Sequence, residues 1–95
     1  MSESGDEVTD LAVAASRGDR TAASALIRAT QRDVWRFLLY LVGHTEAEDL
    51  TQETFVRALR GVHRFNARST GRTWLLAIAR RVAADHFRAA ATHRR

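Results

Sequence analysis

Not one proline interrupts the 95 residues of this chain, and only 5 are glycine. Proline inside a helix removes a hydrogen bond and clashes with the preceding turn, costing about 3 kcal/mol, so a chain without it is free to run in long helices. Alanine, leucine and arginine recur throughout, and all three favour helix. Apolar residues return at three- and four-residue steps in four stretches, which predicts four helices. The fold class expected is all-α: a compact bundle of three to four helices with a basic loop between the last two.

The first stretch, residues 8–16, puts Leu11, Ala12 and Ala15 on one side, stops at Gly18 and reads as a lid on the core. The second, residues 21–42, carries Leu26, Ile27, Val34, Phe37, Leu38 and Leu41, with Gly43 just past its end as a C-cap. Thr45-Glu46-Ala47-Glu48 then has the form of a capping box, in which the Thr45 hydroxyl accepts from the Glu48 amide and the Glu48 carboxylate reaches back. A third helix is predicted to start there. Its apolar stripe is Ala47, Leu50, Thr51, Thr54, Phe55, Ala58, Leu59 and Val62, and Gly61 marks its end. Residues 63–71 lose the helical period and collect Asn, Ser and Gly, so they read as a loop. The fourth helix, residues 72–91, has Ser69 or Thr70 as its cap and turns Leu75, Ile78, Ala79, Val82 and His86 or Phe87 toward the core. Residues 1–7 are expected to be a flexible acidic tail, residues 8–91 the bundle, and residues 92–95 a basic end.

A domain of this size buries only about 60–65% of the surface its unfolded chain exposes. With no cysteine there is neither a disulfide nor a thiolate metal site to supplement that small core, so stability rests on apolar helix packing. The start of the chain lacks a basic segment followed by an apolar run, and no stretch approaches the roughly 18 apolar residues of a membrane span. The expected location is therefore cytoplasmic. A Gly-rich phosphate loop, a nucleophile elbow and a carboxylate pair with a base beside it are all missing, and His86 has no second ligand at i+4. Neither an enzyme nor a cofactor or metal site is expected, and His86 reads as a packed or hydrogen-bonded side chain.

Charge is sorted along the chain. Residues 1–56 hold 5 Arg against 10 Asp and Glu, net −5, and residues 57–95 hold 10 Arg against the single Asp85, net +9, which together make up the overall +4. Two partners are implied, one basic and one anionic, and nucleic acid is the obvious anion. Every basic side chain is arginine, which reads as a coding bias rather than as selection for planar phosphate contacts.

On the third predicted helix Asp49 and Glu53 are four residues apart, Gln52 lies between them and Glu46 is one turn earlier, all pointing away from the apolar stripe. Taken alone, this is a solvated helix face whose acids complement the helix dipole. The stretch Asp49-Leu50-Thr51-Gln52-Glu53-Thr54-Phe55, however, resembles the Asp-Leu-x-Gln-Glu-x-Phe signature of region 2.2 in bacterial sigma factors. The loop and fourth helix resemble regions 2.3 and 2.4 of the same family: Arg64-Phe65 opening the loop, Thr73-Trp74-Leu75, Ile78-Ala79 and then Ala84-Asp85 with Arg88. The resemblance spans residues 22–88, and by it the chain is identified as a member of the extracytoplasmic function group of these factors.

This resemblance implies docking on the coiled-coil clamp helices of the largest RNA polymerase subunit through Asp49, Gln52 and Glu53, with Leu50 and Phe55 mainly core. Two carboxylates and an amide on one rigid face suit a basic helical partner. It also implies recognition of the minus-ten promoter element as it opens, with a base of the non-template strand extruded into a loop pocket. Asn66, Arg68 and Ser69 are the candidates for that pocket, and Arg64, Arg72, Arg80, Arg81 and Arg88 for phosphates or base edges, with Asp85 within the same motif. Arg81 is favoured for base readout because the family turns a variable polar side chain toward DNA there. Trp74 and Phe65 read as core rather than as stacking platforms. Primary sigma factors carry a longer aromatic run here, and its absence implies weak autonomous melting and a stringent promoter.

The family resemblance further implies a linker and a second helical domain reading the minus-thirty-five element, and an anti-sigma factor as a possible partner. Two alternatives stand beside this reading. A homeodomain-like duplex reader needs a short turn where this chain has a nine-residue loop. A helical adaptor accounts for the acidic face but not for the net +9 of the second half.

Overall fold

Short-range signals start and stop each helix in the computed structural model, which describes residues 7–94. The first helix, α1 (Glu7–Ser16), has Glu7 and Asp10 in its first turn, where the dipole favours acids. It ends at Gly18, whose φ of 97° reverses the chain. Asp19 then caps α2 (Arg20–Val42) by accepting from the Ala22 amide at 3.0 Å. Gly43, with φ 89°, closes α2 by donating to the Leu39 carbonyl at 2.9 Å and opens α3 (His44–Gly61) directly. A 3-10 turn, Val62–Arg64, extends α3, and after the loop of residues 65–70 the chain enters α4 (Gly71–Arg94).

Four expectations need correction. The capping box at Thr45 is not formed: α3 begins at His44 with no side-chain cap, so Thr45 is already inside the first turn. A single left-handed glycine joins α2 to α3 and leaves no extended residue for a hydroxyl cap. Leu59, placed on the apolar stripe, is 44% exposed. On α4 the packed stripe stops at Ala83; His86 is half-buried and Phe87 exposed, because the last turns run on without a neighbour to cover them. The helix also continues through Arg94, so residues 92–94 are helical rather than a separate end. The acidic tail, apart from Glu7, and Arg95 lie outside the described residues.

The bundle is all-α. Leu26, Val34 and Leu38 of α2 meet Leu75 and Ala79 of α4 in its centre, all at most 2% exposed, and Ala47, Thr54, Phe55 and Ala58 bring α3 against them. The two fully buried threonines are satisfied within their own helices, Thr30 donating to the Leu26 carbonyl at 2.7 Å and Thr54 to the Leu50 carbonyl at 2.8 Å. No buried side-chain polar atom among the described residues lacks a partner. No helix of the described residues is long and apolar enough to cross a membrane.

α1 lies across α2, the start of α4 and the 3-10 turn. Its closest approach is at Gly71, whose amide donates to the Thr9 hydroxyl at 2.9 Å. A Cβ at Gly71 would stand 3.0 Å from the Val8 carbonyl oxygen and 3.2 Å from the Thr9 Cα. A side chain here would force the α1 backbone back by a few tenths of an ångström, although alanine is the better helix former. Gly71→Ala is expected to lower stability by about 1–2 kcal/mol, the strain of overpacking outweighing the helix propensity gained. Urea denaturation with native-state hydrogen exchange at Thr9 and Gly71 checks this.

Candidate nucleic-acid interface

The loop that precedes α4 is held by local bonds. The Asn66 side chain accepts from the Arg68 amide at 3.2 Å, forming an Asx turn around Ala67, which sits at φ 62°. Alanine pays a steric penalty in that region, so the loop conformation is held against its own preference. Thr70 caps α4, its hydroxyl accepting from the Thr73 amide at 3.1 Å, and Ser69 Oγ donates to the Thr70 carbonyl at 3.2 Å. Beneath the loop, Phe65 is buried and its ring centroid lies 5.2 Å from that of half-buried Trp74 at a tilt of 55°. This pair ties the loop base to α4, in line with the core reading of both aromatics.

Two concavities flank α4. One, about 480 Å³, opens between the end of α3 and α4, where Arg57, Arg64, Trp74, Arg81 and Asp85 line it. Its neighbour, about 430 Å³, is lined by Ala77, Ala84, Arg80, Arg81 and Arg88. Arg64, Arg80, Arg81 and Arg88 are thus brought together, with Arg81 common to both hollows. Arg68 and Asn66 stay exposed on the loop and Ser69 is half-buried there. Arg72 is turned elsewhere: it forms an ion pair with Asp33 of α2 and fastens the start of α4 to the bundle.

Asp85 is held rather than free. Its Oδ2 accepts from Arg57 Nη1 at 2.7 Å, and its Oδ1 pairs with Arg88. The hydrogen bond from Arg57 holds the Asp85 carboxyl below the usual carboxylate range, against partial desolvation, and Arg88 and Arg81 act in the same direction. Reciprocally, Asp85 first and Glu53 second raise the Arg57 guanidinium above its usual value.

Asp49 and Gln52 are exposed on α3, and Glu53 is half-exposed and bound to Arg57 Nε at 3.0 Å. Beside Gln52 a groove of about 730 Å³ runs between α2 and α3, lined by Ile27, Trp35, Phe55, Val56 and Leu59. Trp35, Val56 and Leu59 are 38%, 41% and 44% exposed, so the groove presents large apolar side chains to solvent. Sequence reasoning missed both Trp35 and Arg57. Trp35 stands one position off the buried stripe that contains Val34, and Arg57 is one turn from Glu53 at the head of the basic half; those were the signals available. No group of three or more potential metal ligands is found among the described residues.

Comparison with known proteins decides the family: the model for Sigma-70 region 2 matches residues 26–93. The chain belongs to the sigma-70 family, in its region 2. It is 58% identical over 83 residues to the ECF RNA polymerase sigma factor SigC of Mycobacterium tuberculosis, covering 87% of this chain and 45% of that protein. To the ECF RNA polymerase sigma factor SigX of Bacillus subtilis it is 48% identical over 58 residues, 60% of this chain and 30% of that one. This region 2 domain therefore spans about half the length of the first relative or less. An engineered region 2 of sigmaE, solved by NMR in complex with GTAAAA, superposes with a TM-score of 0.79 at 28% identity, over 94% of this chain and 93% of that one.

Two outcomes follow for the sigma domain. Because the folded Asp85 carboxyl is lowered, its ion pairs contribute above the ordinary aspartate range and are lost as pH falls through the folded value. Asp85→Asn should therefore be less stable than the parent at about pH 6 and converge with it near about pH 2, by urea denaturation at each pH. Ala67→Gly should raise stability by about 0.5–1 kcal/mol, relief of the left-handed strain exceeding the added chain entropy, and Ala67→Val should lower it.

Proposed function

We propose that this domain joins RNA polymerase to a promoter: the α2–α3 face docks on the clamp helices of the largest polymerase subunit, and the loop with α4 holds the minus-ten element as unpaired non-template DNA. The observation that carries this is the gathering of Arg64, Arg80, Arg81 and Arg88 around two hollows beside a strained polar loop, on a different helix from Asp49 and Gln52. Arginine forks suit phosphate oxygens and guanine edges. The larger of these hollows, about 480 Å³, falls within the volume range of ligand sites, about 300–1,000 Å³. A base lifted from the stack would enter there or at the loop, with Asn66, Arg68 and Ser69 at its edge and Arg81 reading it. The engineered sigmaE region 2 of similar fold was solved in complex with GTAAAA, which supports the DNA half of this reading.

Docking would combine Asp49, Gln52 and Glu53 with the apolar groove at Trp35, Val56 and Leu59. Aromatic and aliphatic anchors in a groove rimmed by polar groups are what a protein interface needs at its centre. In the whole protein this role is promoter recognition at transcription initiation, with catalysis supplied by the polymerase.

Fluorescence anisotropy with labelled non-template oligonucleotide, against the same sequence as duplex, tests the DNA half. Single-strand preference with a steep salt dependence is expected, and duplex preference would sink the reading. For the docking half, Gln52→Ala and Trp35→Ala should each weaken binding to an isolated clamp-helix fragment by about 1–2 kcal/mol and leave oligonucleotide affinity unchanged, as measured by calorimetry.

A further inference from the structure

Arg57 stands between the two surfaces. Its Nε donates to Glu53 Oε2 at 3.0 Å, one turn back on α3, and its Nη1 donates to Asp85 Oδ2 at 2.7 Å across the α3–α4 interface. The other oxygen of Asp85 accepts from Arg88, which lines the basic hollow on α4. Alternating charges thus form an unbroken row, Glu53, Arg57, Asp85, Arg88, from the acidic ridge to the rim of the arginine cluster. The two middle side chains are each 34% exposed and the terminal Arg88 69%, so solvent screens the inner links less than the outer one. The rigid guanidinium makes the bridge possible, because its Nε and Nη edges address two carboxylates at once where a lysine ammonium would offer one flexible point.

We infer that Arg57 is a positioning residue which sets how firmly Asp85 holds Arg88, and so transmits the occupancy of Glu53 to the strand-binding surface. The inference rests on the assignment of the two surfaces proposed above. When a cationic helix takes Glu53, Arg57 turns its charge wholly to Asp85, and Arg88 is released toward a phosphate oxygen. Without Arg57, Asp85 has only the α4 cations to satisfy it; it then grips Arg88, and its field reaches Arg81 across the adjoining hollow. The coupling is reciprocal, so a bound strand that takes Arg88 strengthens the hold of Asp85 on Arg57 and frees Glu53 for its partner.

The test uses the 95-residue chain and a labelled single-stranded non-template oligonucleotide at low salt. Arg57→Met should weaken strand binding by about two- to fivefold, the range of partly exposed ion pairs. The double variant Arg57→Met with Asp85→Asn should recover at least the parental affinity, because the competing carboxylate is gone, whereas Arg57→Lys should recover only part. Glu53→Gln should tighten binding by a similar factor with no partner present. In parallel, the carbon-13 signal of the Asp85 carboxyl is titrated by NMR, its midpoint expected to rise in Arg57→Met and to fall in Glu53→Gln. Failure of the double variant to recover, or an Asp85 midpoint indifferent to Glu53→Gln, would overturn the relay. A parent chain that prefers duplex would instead remove the proposed DNA function, and the relay would then be judged by the carboxyl titration alone.

Discussion

Everything in this domain depends on one apolar seam shared by α2, α3 and α4. Leu26, Val34 and Leu38 on one side and Leu75 on the other are almost wholly shielded from water, and burying each such side chain contributes about 1.5–3 kcal/mol before chain entropy is set against it. With no disulfide to assist, the chain must commit one stripe of every helix to this seam. What remains of α3 and α4 is then free to carry charge. The separation of functions follows from that division, since a helix buried on all sides would have no face left for a partner.

The division also explains how the exposed acids of α3 and the arginines of α4 are kept on separate faces that touch at one place. α3 carries its exposed acids early and α4 its arginines throughout, and the two helices meet at the Arg57–Asp85 pair. This contact is a half-exposed ion pair, so it adds little to global stability but fixes which oxygen faces which nitrogen. The resulting row reaches from Glu53 to Arg88, and it shows that the acidic ridge and the basic hollows share an electrostatic boundary.

Strain and close contact are concentrated next to the arginine cluster. Ala67 is the one non-glycine residue at positive φ among those described, and four residues later Gly71 admits α1 to contact distance. The Asx turn at Asn66 holds that alanine in its left-handed conformation. α1 does more than cover the core: through Thr9 it anchors the start of α4, just past the loop. Glycine at position 71 serves approach, while Gly18 and Gly43 serve reversal of the chain.

The helices, their approximate limits, the loop and the two charged constellations were legible from the sequence, because periodicity, glycine position and charge are local properties. The aromatic pair Phe65–Trp74 was also foreseeable as structural, given its spacing around the loop. What failed was local reasoning applied to places where another element competes: Gly43 displaced the Thr45 cap, Phe87 outran its neighbours, and Leu59 lost its cover to an open groove. Residue types and their order along the chain determined an all-helical protein with an acidic and a basic half. Only the tertiary structure decided that Arg72 serves Asp33 rather than the arginine cluster, that Asp85 is shared between Arg57 and Arg88, and that Trp35 lines a groove. Those outcomes depend on distances between residues remote in sequence, which helix packing sets and no spacing along one helix contains.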